Sequence, residues 1–175
     1  MYRLASNIAP IVGLKSKRRG LHMPKIVSVF CAEKQKADRK LADELGVSLE
    51  LCGIPYYDMS TSLIAGTELR TELDRFWKES TLGILIMSSS LLSEASREST
   101  VIGRMVRKCF AEAMPSEKAS GSYAVMASDC LLDFSELSYL RRELTASGDF
   151  WLNANTQERD VSWNLFMRKL LSDLR

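Results

Sequence analysis

The chain has 175 residues, 46% of them apolar and 26% charged, with a net charge of +2. That is one ordinary globular domain, long enough to bury a core without disulfides or a structural metal; a wholly disordered, collagen-like or coiled-coil chain is excluded. No run approaches the ~18 uninterrupted apolar residues of a membrane-spanning helix, and so small a net charge gives no ground for nucleic acid as a partner.

Charge is spread unevenly. No Asp or Glu precedes Glu33, whereas Arg3, Lys15, Lys17, Arg18, Arg19 and Lys25 do. Removing these six from the 24 basic residues leaves 18 against 22 acidic ones, a net of −4. Residues 1–24 therefore read as a basic, disordered extension and 25–175 as the domain. An organelle transit peptide, an upstream start with Met23 as the true beginning, and a short basic arm for acidic lipid or nucleic acid are the three readings of that extension; the upstream start is the one expected.

From Lys25 the pattern alternates. The β-branched run 25–31 predicts a buried strand. Ala37, Leu41 and Leu45 predict a helix that ends at Gly46 or runs to Glu50. Residues 53–58 predict a second strand and 59–66 a loop of small residues. Over 67–80, Leu69, Leu73, Phe76 and Trp77 form one stripe of a helix, with Thr67 as N-cap. The continuous apolar run 82–88 predicts a central strand buried on both faces. A serine-rich connector (88–99), a helix over 98–113, a strand over 122–128, a short helix over 134–144 and an edge strand over 149–153 follow. A closing helix carries Trp163, Phe166, Met167, Leu170 and Leu174 on its inner face, with Asp160 as N-cap. The fold class expected is α/β: one flavodoxin-like domain with a five-stranded parallel sheet and helices on both faces. Ligands of such sheets bind beyond the carboxyl ends of the strands.

The four cysteines, Cys31, Cys52, Cys109 and Cys130, are widely spaced without a CxxC, and read as buried thiols of a reducing, cytoplasmic compartment. No metal site is expected. The one histidine, His22, lies in the extension, so carboxylates or backbone groups must carry any catalysis. The glycines are singletons, and no GxGxxG or Walker loop cradles a phosphate. The first strand ends in Cys31 and Ala32 rather than the acidic pair of a response-regulator receiver. Trp77 and Trp151 read as core or rim aromatics. Of Tyr56 and Tyr57, one is expected to be buried and the other to face the 59–66 loop. Arg97, Arg104 and Lys108 share a helix face near Arg107, which reads as a solvated stripe or, alternatively, a contact for an acidic partner or a phosphate.

The order of motifs from Gly53 to Glu98 resembles the Toll/interleukin-1 receptor (TIR) domain family. The matching residues are Asp58 closing a strand, Gly66 closing a loop, and Leu73 and Ser80 of an amphipathic helix. Ile84 to Met87 then form an apolar strand, followed by Ser88, Leu92 and Ser93. The opening strand and its charged follow-on match as well, with Cys31 where a serine is usual, and Leu131 to Leu140 resembles the segment after the family's fourth strand. The resemblance extends over about residues 25–175. It implies one of two roles. Some members cleave NAD+, as substrate rather than cofactor, at the nicotinamide–ribose bond on self-association, in immune, antiphage or stress signalling. Others are non-enzymatic scaffolds that bind TIR domains. The enzymes need a glutamate in the first turn of the helix after the third strand, where a carboxylate stabilises the oxocarbenium-like ribose. Counted without gaps from Ser88, that position is Thr100, and the family's tryptophan is replaced by Ser96. A turn shorter by two residues makes Glu98 the catalytic residue; Glu94 lies a turn earlier. The resemblance further implies a substrate pocket of Phe30, Cys31, Ala32, Glu33 and Ser88, and an association surface at Leu63, Ile64 and Gly66. A nucleoside-processing hydrolase of similar fold is a third reading.

Overall fold

The structure is a computed structural model that describes residues 25–32, 34–58, 68–97, 99–111, 116–128, 130, 136–143, 145–146, 149–150 and 155–175. The apolar run Leu82–Met87 forms strand β3, and all six of its residues are buried. β1 (Val27–Phe30) pairs with it in parallel on one side and β4 (Tyr123–Met126) on the other. β2 (Tyr56–Asp58) lies outside β1, and β5 (Arg141–Glu143) lies outside β4, both parallel. The strand order is thus β2-β1-β3-β4-β5, compatible with a flavodoxin-like fold. The chain is α/β with a parallel sheet, as the alternation of periods predicts.

Side chains alternate across the sheet with period two, so each strand feeds two cores. Phe30, Leu85, Met87, Ala124 and Met126 face α2 (Leu69–Glu79) and α4 (Val101–Val106). Val27, Val29, Ile84, Ile86 and Val125 face α1 (Lys36–Leu51) and α6 (Thr156–Asp173). On α2, Leu73 and Phe76 are buried, with Leu69 and Trp77 packed at the rim. On α6, Phe166, Met167 and Leu170 are buried, and Trp163 and Leu174 flank them.

Several elements differ from expectation, each for a local reason. The serine-rich connector contains a helix, α3 (Ser89–Ala95), because the Ser88 side chain accepts the Leu91 N–H at 3.2 Å and Leu91 and Ala95 bury an i, i+4 face. The following helix is α4, after which the backbone widens into a π-helical turn, Arg107–Ala111. A short helix α5 (Glu117–Ser120) precedes β4. In the segment read as a helix over 134–144, the described residues 136–140 instead make a turn that buries Leu137 and Leu140, and 141–143 pair as β5 along the open edge of β4. The fifth strand therefore comes from 141–143. Of the strand expected over 149–153, β7 (Asp149–Phe150) pairs only with β6 (Thr145–Ala146) in a separate antiparallel ribbon, and 151–153 lie outside the described residues.

Helix caps also shift. α6 begins at Asn155, which forms a capping box with Glu158 and satisfies two N–H groups reciprocally; Asp160 is a turn inside. The N-cap residue of α2 is Glu68, and Thr67 is outside the described residues. α1 continues past Gly46 to Leu51. The cysteines are thiols, but only Cys31 and Cys109 are buried; Cys52 is exposed at the end of α1. Residues 1–24, with His22, and Trp151 lie outside the described residues. No helix among those described is long and apolar enough to cross a membrane.

Gly83 sits where β3 passes beneath an aromatic cluster of Phe30, Trp77 and Phe110. A Cβ there would meet Phe110 Cζ at 2.6 Å and Trp77 Cζ3 at 3.1 Å. Gly83→Ala is expected to cost ~1–3 kcal/mol by overpacking, read as a lowered midpoint in urea with an unchanged slope.

Candidate functional site

The order of strands reverses between β1 and β3, since β2 lies beyond one and β4 beyond the other. A crevice beyond the carboxyl ends at that point is where doubly wound sheets bind ligands. Two buried polar side chains meet there. Ser88, 3% exposed at the end of β3, donates a short hydrogen bond through its Oγ to Oδ2 of Asp38, 1% exposed in the first turn of α1. The same Oγ accepts from Leu91 and so fixes the start of α3.

Asp38 belongs to the buried stripe of α1, with Leu41, Ala42, Leu45 and Leu49. The expected stripe began at Ala37, which is only half-buried. Burial pushes the Asp38 carboxyl above its ordinary value, the Ser88 hydrogen bond pulls it back, and the negative charge of Glu94 on α3 raises it again. Asp38 and Glu94 therefore share one electrostatic environment. Sequence reasoning missed Asp38; its signal was a carboxylate at the i, i+3, i+4, i+7 positions of an apolar stripe.

Around this pair the charges are tied down. Arg39 forms a two-pronged ion pair with Asp58, which is 4% exposed at the end of β2; its Nη1 donates to Oδ1 at 2.7 Å and its Nη2 to Oδ2. It also donates to Asp43 through Nε at 3.0 Å and Nη2 at 2.8 Å. Burial pushes the Cys31 thiol up to about 11; Arg39 opposes this, while Asp58 and Asp38 add to it. Cys31 stays protonated at neutral pH and is not a nucleophile.

No protein-family model, curated protein or solved structure matches the chain. Its own geometry is what bears on function.

Of the expected pocket residues, Ser88 lies at the switch point, with its side chain 3% exposed. Phe30, Cys31 and Ala32 stand at the carboxyl end of β1, and their side chains are buried: Phe30 at 5.6 Å from the Phe110 ring, Ala32 in the same core, Cys31 on the opposite face. Glu33, Glu98, Leu63, Ile64 and Gly66 lie outside the described residues. Thr100 is committed to structure: its hydroxyl accepts the Gly103 N–H at 3.0 Å, capping α4, and donates to the carbonyls of Glu94 and Arg97. The turn closes this tightly because residue 103 is glycine. A Cβ there would lie 2.1 Å from the Arg97 carbonyl and 2.5 Å from that of Glu94. Tyr56 and Tyr57 are both half-buried, on opposite faces: Tyr57 stacks on Phe76 at 4.5 Å, and Tyr56 reaches Glu50 on α1. Among the described residues, no group of three His, Cys, Asp or Glu side chains is arranged to hold a metal.

A carboxyl whose folded value is raised binds its proton more tightly when folded. Stability then falls as pH climbs from the ordinary carboxylate range through the raised value. Asp38→Asn keeps an oxygen for Ser88 and removes the buried charge. It is expected to flatten that fall and to raise Tm at neutral pH by about 2–4 °C per kcal/mol recovered, seen in thermal melts run from acidic to neutral buffer.

Proposed function

We propose that the chain is a TIR-like domain that acts in the cytoplasm and cleaves NAD+ at the nicotinamide–ribose bond on self-association, in immune or stress signalling. The observation that carries this reading is the polar pair at the switch point, Asp38 buried against Ser88 with Glu94 in its field. A negative site suits the substrate's cationic nicotinamide ring and the charge that develops on the ribose. Nicotinamide leaves as a neutral molecule with the bonding electron pair, so no general acid is needed. Water adds its oxygen to the ribose carbon and releases a proton. In this proposal Glu98 stabilises the oxocarbenium, Ser88 and the backbone of Phe30 to Glu33 contact the substrate, and Leu63, Ile64 and Gly66 form the association surface.

A specific observation favours a second reading, a non-enzymatic TIR interaction module. Thr100, at the ungapped position of the family's glutamate, carries no carboxylate and is occupied as a helix cap.

Chromatographic assay of NAD+ with concentrated protein separates the two. The first reading expects steady release of nicotinamide and a loss of about 10²-fold or more in rate for Glu98→Gln. Assembled parent protein that leaves NAD+ intact establishes the second reading instead. Full activity in Glu98→Gln, with loss in Glu94→Gln, would transfer the catalytic role to Glu94. Under both readings, Leu63→Asp with Ile64→Asp is expected to abolish self-association in sedimentation velocity; an unchanged size distribution rejects that interface.

A further inference from the structure

Between α2 and α4 runs a groove of about 700 Å³ that shares no lining residue with the Ser88–Asp38 centre. Its floor is apolar: Leu69 and Leu73 from α2, Val101 and Met105 from α4. Its walls are cationic: Arg70 on one side, Arg104, Arg107 and Lys108 on the other. Lys108 Nζ reaches Asp74 Oδ1 at 2.6 Å and ties the two helices together. Arg107 Nε donates to the Ala95 carbonyl at 3.3 Å. The π-helical turn begins at Arg107, where Phe110 anchors the backbone on Trp77 with ring centroids 4.6 Å apart.

Arg70 and Arg104 are different. Both are exposed, and among the described residues neither has an ion-pair partner. Three other arginines are paired: Arg39 with Asp58, Arg75 with Glu72 and Arg141 with Asp173. Among the described residues that line the groove, four cations stand against Glu68 and Asp74. An ordinary solvated stripe has no reason to line a concave apolar floor. A volume of this order is that of small-molecule sites, which pair apolar walls with a few convergent polar groups, and two uncommitted guanidinium groups match the oxygens of a phosphate.

We propose that this groove binds a phosphorylated organic anion of nucleotide size. Its phosphates lie between Arg70 and Arg104, and its apolar part rests on Leu69, Leu73 and Val101. The site does not depend on NAD+ cleavage and stands whichever functional reading holds.

The test is calorimetric titration of the full chain with ADP and, separately, with inorganic pyrophosphate. ADP is expected to bind, with affinity falling as salt is raised. Arg70→Gln and Arg104→Gln, both at exposed positions, are each expected to weaken it about 10-fold, the loss of one charge-assisted hydrogen bond, without moving the melting temperature. Pyrophosphate is expected to bind more weakly than ADP because it leaves the floor uncovered. Absence of ADP binding at millimolar concentration overturns the proposal. ADP binding that survives both substitutions belongs to another site and overturns it equally. Equal affinity for ADP and pyrophosphate overturns the assignment of an organic ligand.

Discussion

The hydrogen bond from Ser88 to Asp38 is the contact on which the carboxyl end of the sheet depends. One hydroxyl there does two things. It solvates a buried carboxylate, and it caps the helix that follows β3. The first ties α1 to the central strand across the point where the strand order reverses. The second fixes the direction in which α3 leaves the sheet, and hence the position of Glu94. The turn beyond is held by Thr100 and by the absence of a side chain at Gly103. A carboxyl group kept in so dry a place costs stability, and folds that carry such a cost do so most often at sites of function.

How much of this was legible follows from the kind of signal each residue carries. β3 was legible because both of its faces are covered, so its apolar run is uninterrupted. The stripes of α2 and α6 were legible because burial there repeats with the helical period. β5 was not: Leu137 and Leu140 have helical spacing, yet what decides their segment is the unpaired edge of β4, a tertiary demand. α3 was masked by its serines, which mark loops by composition but become a cap and a solvent face once Leu91 and Ala95 are buried. At the candidate site, Ser88 was legible from its place after an apolar strand. Asp38 was overlooked, because in a string of alternating charges one buried carboxylate looks like its solvated neighbours. Glu98 and the 59–66 loop lie outside the described residues, so the geometry bears on their surroundings and not on them.

The amino end of the sheet is held by polar contacts of a different kind. Lys118 from α5 donates to the Trp77 carbonyl at 2.5 Å and lies 5.0 Å from the centre of the Trp77 ring, so one ammonium closes the last turn of α2 and covers its aromatic. Burial lowers its proton affinity. At the other edge Tyr123 donates to Asp173, which also accepts from Arg141, and this joins β4 and β5 to the end of α6. The carboxyl end thus carries a carboxylate held at a cost, while the amino end uses its charges to brace helix ends.

The two-sided sheet has a consequence for how the molecule comes apart. The core under α2 and α4 and the core under α1 and α6 meet only through the backbone of the strands, because alternate side chains serve opposite faces. α6 reaches its face from the far end of the chain, so its departure uncovers Tyr123, whose ring packs on Phe166, while Phe110, Met87 and Leu73 stay sealed. The protein has the makings of two unequal cooperative units sharing one set of strands. Amides of α6 would then exchange with solvent by a local opening, on a scale separate from those of β3, which are released only when both faces are lost.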